Sequence, residues 1–308
     1  MTMDVSPTRL SVRRHAFIQP RDAIKYLSDR IVLTAAFITL FYLNYSSNPI
    51  EAFANNDIFQ SRAIGGAEIL GFVAIFVVLK DLKADRVLRW WDFAAIVAAL
   101  AVGIVAALLY PSKVFPAISI TYLGLLFIAR SDKRIASLGQ LCIGLAWIGF
   151  WGALVLIFVK QWLLPIETEL AFLPLSLFGS FSINGTEISN GSGFGVDVFE
   201  GCSAFHNTIV TAFVWLSLIK IQKLDFRLKY FYILAIGLLA VIVLNTFRIS
   251  IMAVSEEQYL FWHEGLGQWI VKALMLGGVL GLFYFGLAPH NPKPSVALST
   301  ARPEKLRQ

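Results

Sequence analysis

Apolar and polar positions along the chain segregate into long blocks. Eight nearly unbroken apolar runs occupy about 31–46, 63–79, 91–109, 114–129, 137–159, 203–219, 230–252 and 266–287. Each is close to the ~20 residues that carry a helix across a hydrocarbon core of ~30 Å. The pattern predicts an all-α integral membrane protein with about eight transmembrane helices. Runs three and four are separated only by the turn-like stretch "YPSKVFP", which suits a tight hairpin.

Composition agrees with the pattern. Of 308 residues, 57% are hydrophobic and 15% charged, and the mean hydropathy is +0.69. That excludes a soluble globular chain of this size. The net charge of +6 could suggest nucleic-acid binding, but the basic residues sit in short pieces between apolar runs, so they read as topology signals.

By the positive-inside rule, three loops face the cytoplasm: those with Lys80, Lys83, Arg86 and Arg89, with Arg130, Lys133 and Arg134, and with Lys220, Lys223, Arg227 and Lys229. The loops between them are acidic or neutral. Both termini are then inside: residues 1–30 form a basic tail without the apolar core of a signal peptide, 31–287 the membrane domain, and 288–308 a second tail, expected to be disordered. An inner (plasma) membrane location follows.

The longest outer segment runs from about Gln161 to Gly201. Within it "FSINGTEISNGSGFGVDVF" has two Asn-Gly turn signals and alternation at Val196 and Val198, which predicts a small β-hairpin on the membrane surface before the sixth span. Asn184-Gly-Thr and Asn190-Gly-Ser have the form of glycosylation acceptors but read as turn residues.

Three chemically capable side chains map to the same outer face. Cys202 opens the sixth span, Arg248 lies about one turn short of the outer end of the seventh, and His263 sits just before the eighth. Cys142 falls near the opposite face and reads as apolar packing; the two cysteines are too far apart to bridge. An arginine within a membrane helix costs ~2.5–3.5 kcal/mol and calls for a partner. Asn245, three residues earlier on the same face, is the candidate to hold its guanidinium.

Histidine has two candidates, since His206 lies at i+4 from Cys202. It should sit about 6 Å deeper in the membrane, which favours His263 as the acid/base. A thiol nucleophile needs a base or a nearby positive charge, and acyl transfer needs donors for its oxyanion. Cysteine, histidine and arginine supply that set.

The residues "EGCSAF" (Glu200 to Phe205), "NTFRI" (Asn245 to Ile249) and "HEGLG" (His263 to Gly267) resemble, in type and order, those of the exosortase/archaeosortase family of polytopic membrane cysteine proteases. The resemblance covers roughly residues 60–287. It implies Cys202 as nucleophile, Arg248 as catalytic arginine and His263 as catalytic histidine, with Ser203, Asn245 and Gly267 supporting them.

It also implies a substrate: an exported protein whose C-terminus carries a short sorting motif, a transmembrane helix and a basic tail, cut at the outer membrane edge. No cofactor, metal or nucleic acid is implied, and nothing in the sequence sets an oligomeric state. The chain departs from the family at Ala204, where glycine is usual. The competing reading is a polytopic component of polysaccharide assembly or transport. There Glu68, Arg248 and Lys272 would be charges within the bilayer, and Glu68 and Lys272 could pair.

Overall fold

The computed structural model describes residues 33–36, 38–39, 66–81, 90–109, 114–130 and 132–287. Both tails, most of the first apolar run, and Lys83, Arg86 and Arg89 lie outside the described residues. Leu33 and Ala36 are helical and buried.

The elements are α1 (Gly66–Lys80), α2 (Trp90–Leu109), α3 (Val114–Ile128), α4 (Lys133–Ala146), a π-helical turn (Trp147–Trp151) and α5 (Gly152–Ser176). Next come β1 (Phe181–Asn184), β2 (Glu187–Asn190) and β3 (Gly195–Asp197), followed by α6 (Ala204–Ile221) and α7 (Leu228–Met252). The short α8 (Glu256–Tyr259), a second π-helical turn (Leu260–Glu264) and α9 (Leu266–Gly286) complete the order.

Four helical stretches are long and apolar enough to cross a membrane: Lys133–Ser176, Ala204–Ile221, Leu228–Met252 and Leu266–Gly286. These, with α1, α2 and α3, start or end within a few residues of seven of the apolar runs. The exception is the outer end of the fifth. The helix does not stop near 159 but continues to Ser176, so the first sixteen residues or so of the expected outer loop are helical. Pro165 and Pro174 lie inside it.

Side-chain caps set several starts. Asp132 accepts from the Arg134 N–H at 2.9 Å, Ser203 from the Phe205 N–H at 3.1 Å, and Ser255 from the Gln258 N–H at 3.3 Å.

The predicted hairpin is a three-stranded antiparallel sheet in the order β1-β2-β3. Asn184 pairs with Glu187 across a two-residue turn whose first position is Gly185, at φ +62°; a two-residue hairpin turn of this hand needs glycine there. The third strand is only three residues long and follows a Gly-Ser-Gly loop, so alternation alone merged it with the approach to α6. Asn190 shapes the second turn. Its Oδ1 accepts from the Ser192 and Phe194 N–H groups and the Ser192 hydroxyl, while its Nδ2 donates to the Val254 carbonyl at 2.9 Å. Side-chain bonding thus ties the sheet to the end of α7.

Two apolar clusters hold the bundle. The larger lies among the spans and includes Leu123, Phe127, Leu141, Cys142, Val214, Ile219, Val241 and Phe283. The smaller joins Leu164, Ala171 and Leu175 of α5, Ile188 and Val196 of the sheet, Cys202, and Ile249, Met252 and Ala253 at the end of α7.

The loop residues cluster by charge at the other end of the helices. Arg130 pairs with Asp92 and Arg134 donates to the Asp81 carbonyl. Lys223 reaches Asp81 at 2.6 Å and Lys133 reaches Asp225 at 3.2 Å. The described residues of the three basic loops therefore meet at one end of the bundle, opposite the sheet and Cys202. Glu68 and Lys272 do not pair: among the described residues no ion pair joins them, and the Lys272 ammonium lies 5.2 Å from the centre of the Trp269 ring.

Candidate active site

Cys202 is not on the sixth span but in the loop before it, two residues ahead of the first helical residue, Ala204. Its N–H donates to the Phe199 carbonyl at 2.9 Å, and its own carbonyl accepts from Asn245 Nδ2 at 2.7 Å. Both bonds fix the backbone of a residue that is 1% exposed. Just upstream, Glu200 pairs with Lys160 of α5 at 2.6 Å.

This geometry corrects two expectations. Asn245 does not hold the Arg248 guanidinium; its donor is spent on Cys202, a long-range contact that helical spacing could not reveal. The i+4 relation of His206 to Cys202 fails as well, because Cys202 precedes the helix. The thiol residue is buried, whereas His206 is exposed.

Ser203 caps α6, and its hydroxyl donates to Glu167 Oε1 at 3.0 Å. The Ala204 N–H donates to both Glu167 carboxylate oxygens at 3.2 Å. A carboxylate from α5, itself 7% exposed, thus occupies the positive end of α6 immediately beside Cys202. Ala204 fits here without strain: it opens a helix, its φ is not positive, and its contact to Glu167 runs through the backbone. Glycine is not required by this conformation.

Arg248 projects from the last turns of α7. Its Nε donates to the Trp262 carbonyl at 3.2 Å, and among the described residues no carboxylate pairs with it. Trp262 belongs to the second π-helical turn, where the Gly265 N–H bonds the Leu260 carbonyl. His263 is on the same turn. Its ring stacks on Tyr259 at 4.8 Å and 10° and lies 5.7 Å from Phe199. Its Nδ1 is buried and without a hydrogen-bond partner among the described residues. Gly267 lets α9 close against this turn: a Cβ there would come within 2.8 Å of the Phe261 carbonyl oxygen and of the Phe261 and Trp262 rings.

Electrostatically the three residues share one centre. Burial pushes the Cys202 thiol above its ordinary value; the Arg248 charge opposes that rise, and Asp197 and Glu167 add to it. Burial likewise lowers the His263 imidazole, and Arg248 lowers it further against a small pull from Glu264. Tyr259 is raised by burial and by proximity to Cys202. So Arg248 acts on both Cys202 and His263, which no hydrogen bond joins directly. Neutral thiol and neutral imidazole are favoured in the resting site.

Among the described residues no three His, Cys, Asp or Glu side chains cluster as metal ligands. No family model, curated protein or solved structure matches this chain.

Sequence reasoning passed over Glu167, Tyr259 and Phe199. Tyr259 carried a signal, its i−4 spacing from His263. Glu167 carried none, since its segment read as loop.

Proposed function

We propose that the chain is a membrane-embedded cysteine peptidase or transpeptidase of exosortase type. It processes the C-terminal sorting signal of exported proteins at the outer face of the inner membrane. On this reading about eight helices span the bilayer, both termini are cytoplasmic, and the end with the charge-laced loops is the inner one. The observation that carries the proposal is that Cys202 packs with Ile249 of α7 and with Tyr259 and Trp262 beside His263, while Arg248, paired with no carboxylate among the described residues, is held to the Trp262 carbonyl at 3.2 Å, within electrostatic reach of both Cys202 and His263.

The chemistry follows from the side chains. The Cys202 sulfur forms a bond to the scissile carbonyl carbon as its proton passes to His263. Arg248, whose Nη groups take no hydrogen bond among the described residues, offers donors to the developing oxyanion. The C–N bond then breaks, the leaving amine takes the proton from His263, and a thioester remains. Water or an amine acceptor releases it.

The test is co-expression with an exported protein ending in a sorting motif, an apolar helix and a basic tail. Cys202→Ala, His263→Ala and Arg248→Lys are expected to insert at normal abundance while uncleaved substrate accumulates; lysine keeps the charge but loses the planar fork. Cys142→Ala is expected to process normally. Normal processing by Cys202→Ala overturns the cysteine-peptidase reading.

A further inference from the structure

The continuous helix Lys133–Ser176 has 44 residues, about 66 Å at 1.5 Å per residue, twice the ~30 Å hydrocarbon core. Its contacts show where the excess goes. Gly152 packs against Ile209 of α6, and Glu167 reaches the Ser203 cap of the same helix at 3.0 Å. Between those points α5 is about 22 Å long, but α6 only about 9 Å. Side-chain reach covers a few ångströms of that difference, so α5 leans steeply away from the α6 axis as it leaves the spanning region. Further along, the Ala171 carbonyl accepts from Ser250 Oγ at 2.7 Å, level with the last turn of α7. The outer half of α5 therefore runs across the end of the bundle.

That outer half is two-faced. Leu164, Ala171 and Leu175 pack inward on the sheet and Cys202. The opposite side carries Phe158, Trp162, Ile166, Leu170, Leu173 and Leu177, one about every turn, each between 38% and 83% exposed. The row begins on the apolar span itself, where Phe158 is 67% exposed and its neighbour Ile157 59%, and continues past its end. Lys160 is turned to Glu200 instead; the row contains no basic residue, and its one charged neighbour is the exposed Glu169, one turn from Ile166 and Leu173 on the same side.

We infer that the outer half of α5 is an interfacial helix, lying in the outer headgroup layer with this row sunk among the lipid chains. Continuity with the spanning surface argues for lipid as the occupant, as does a tryptophan at the boundary, the residue that anchors membrane interfaces. Apart from Glu169, whose carboxylate stays at headgroup level, the contact is apolar, with no selection for anionic lipid. Its inner face roofs Cys202, so the helix holds that residue at headgroup depth. None of this depends on the peptidase reading.

The experiment places nitroxides at Leu170→Cys, Leu173→Cys, Ile157→Cys and Glu187→Cys in a Cys142→Ala, Cys202→Ser background, reconstituted in phosphatidylcholine nanodiscs. At 170 and 173 the ratio of oxygen to nickel-chelate accessibility is expected to be several-fold above that at 187. The depth should be about 5–10 Å, shallower than at 157, and unchanged when anionic lipid is added. Water-like accessibility at 170 and 173 overturns the inference, as does a depth equal to that at 157. Line broadening that disappears on dilution with unlabelled protein also overturns it, in favour of a second copy on this face.

A check without cysteine changes uses lipids brominated at different acyl positions. The emission lost on Trp162→Phe in the native chain should be quenched most by bromine near the headgroup. Strongest quenching by bromine at the chain ends refutes interfacial placement.

Discussion

Asn245→Leu separates the support of the site from the stability of the fold. Asn245 is 1% exposed. Its Nδ2 makes one strong bond, 2.7 Å to the Cys202 carbonyl, while its Oδ1 is buried with no partner among the described residues. Leucine removes both groups at similar volume. Losing the donor leaves the Cys202 carbonyl unpaired, at a cost of ~1–3 kcal/mol; losing the orphan oxygen returns an amount of the same order. Net stability should change by less than about 1 kcal/mol.

Function should not be spared. If ~1–3 kcal/mol of restraint on the Cys202 backbone is lost, the competent conformation is depopulated by roughly 5- to 150-fold. The assays are thermal unfolding in detergent, and processing of the co-expressed substrate with Cys202 alkylation by a small electrophile as a monitor of the thiol. Unchanged processing at unchanged stability refutes the assignment of Asn245 to Cys202. A large loss of stability refutes the compensation argument.

Glu167→Gln keeps an acceptor for Ser203 but removes a negative charge that raises the Cys202 thiol; its alkylation limb should move to lower pH, and a limb that stays in place shows that the carboxylate does not act on the thiol. Gly267→Ala puts a Cβ within 2.8 Å of the Phe261 carbonyl oxygen, and overpacking of this kind costs ~1–3 kcal/mol. It should slow processing and also shift the pH profile of Cys202 alkylation, since the displaced turn carries His263 and the Trp262 carbonyl that anchors Arg248; an unchanged profile with unchanged processing contradicts the contact. In kcat/KM against pH, the acid limb should lie below the ordinary histidine value of 6.5, because His263 is lowered and must be neutral to accept a proton. Activity falls as pH drops through that lowered value, and a limb at or above 6.5 contradicts the assignment.

The apolar runs were legible because a membrane demands nearly uniform apolarity over a fixed length, and the ends of α6, α7 and α9 fall within a few residues of expectation. The helical extension Gln161–Ser176 was not. It packs only one side, against the sheet and Cys202, so its residues are mixed, with Glu167 and Glu169 among Trp162, Ile166 and Leu173. Mixed character beside two prolines reads as loop. At the site, the residue types and the shared face were legible in Cys202, Arg248 and His263. The partners were not, because Asn245 to Cys202 and Glu167 to Ser203 are contacts between distant segments, and spacing speaks only for neighbours on one helix.

The resting electrostatics constrain how the proposed chemistry could proceed. Cysteine nucleophiles that rest as a thiolate beside an imidazolium have thiol values depressed to ~3.5–7.5. Here the thiol is raised and the imidazole lowered, so the ground state is a neutral pair and the proton must move during attack. Arg248 cannot be the acceptor, since a guanidinium does not deprotonate in proteins. Its charge lowers the cost of thiolate while raising that of imidazolium, so its two effects on a stored ion pair offset each other. That same charge stays favourable once the negative charge has passed from sulfur to the carbonyl oxygen, where the Nη donors can also hydrogen-bond it. On the proposed function, Arg248 adds hydrogen bonds to its charge only at the tetrahedral intermediate, so its help is greater there than at a resting thiolate. A buried, neutral Cys202 is also the form least open to oxidation in the compartment that the proposed topology gives it.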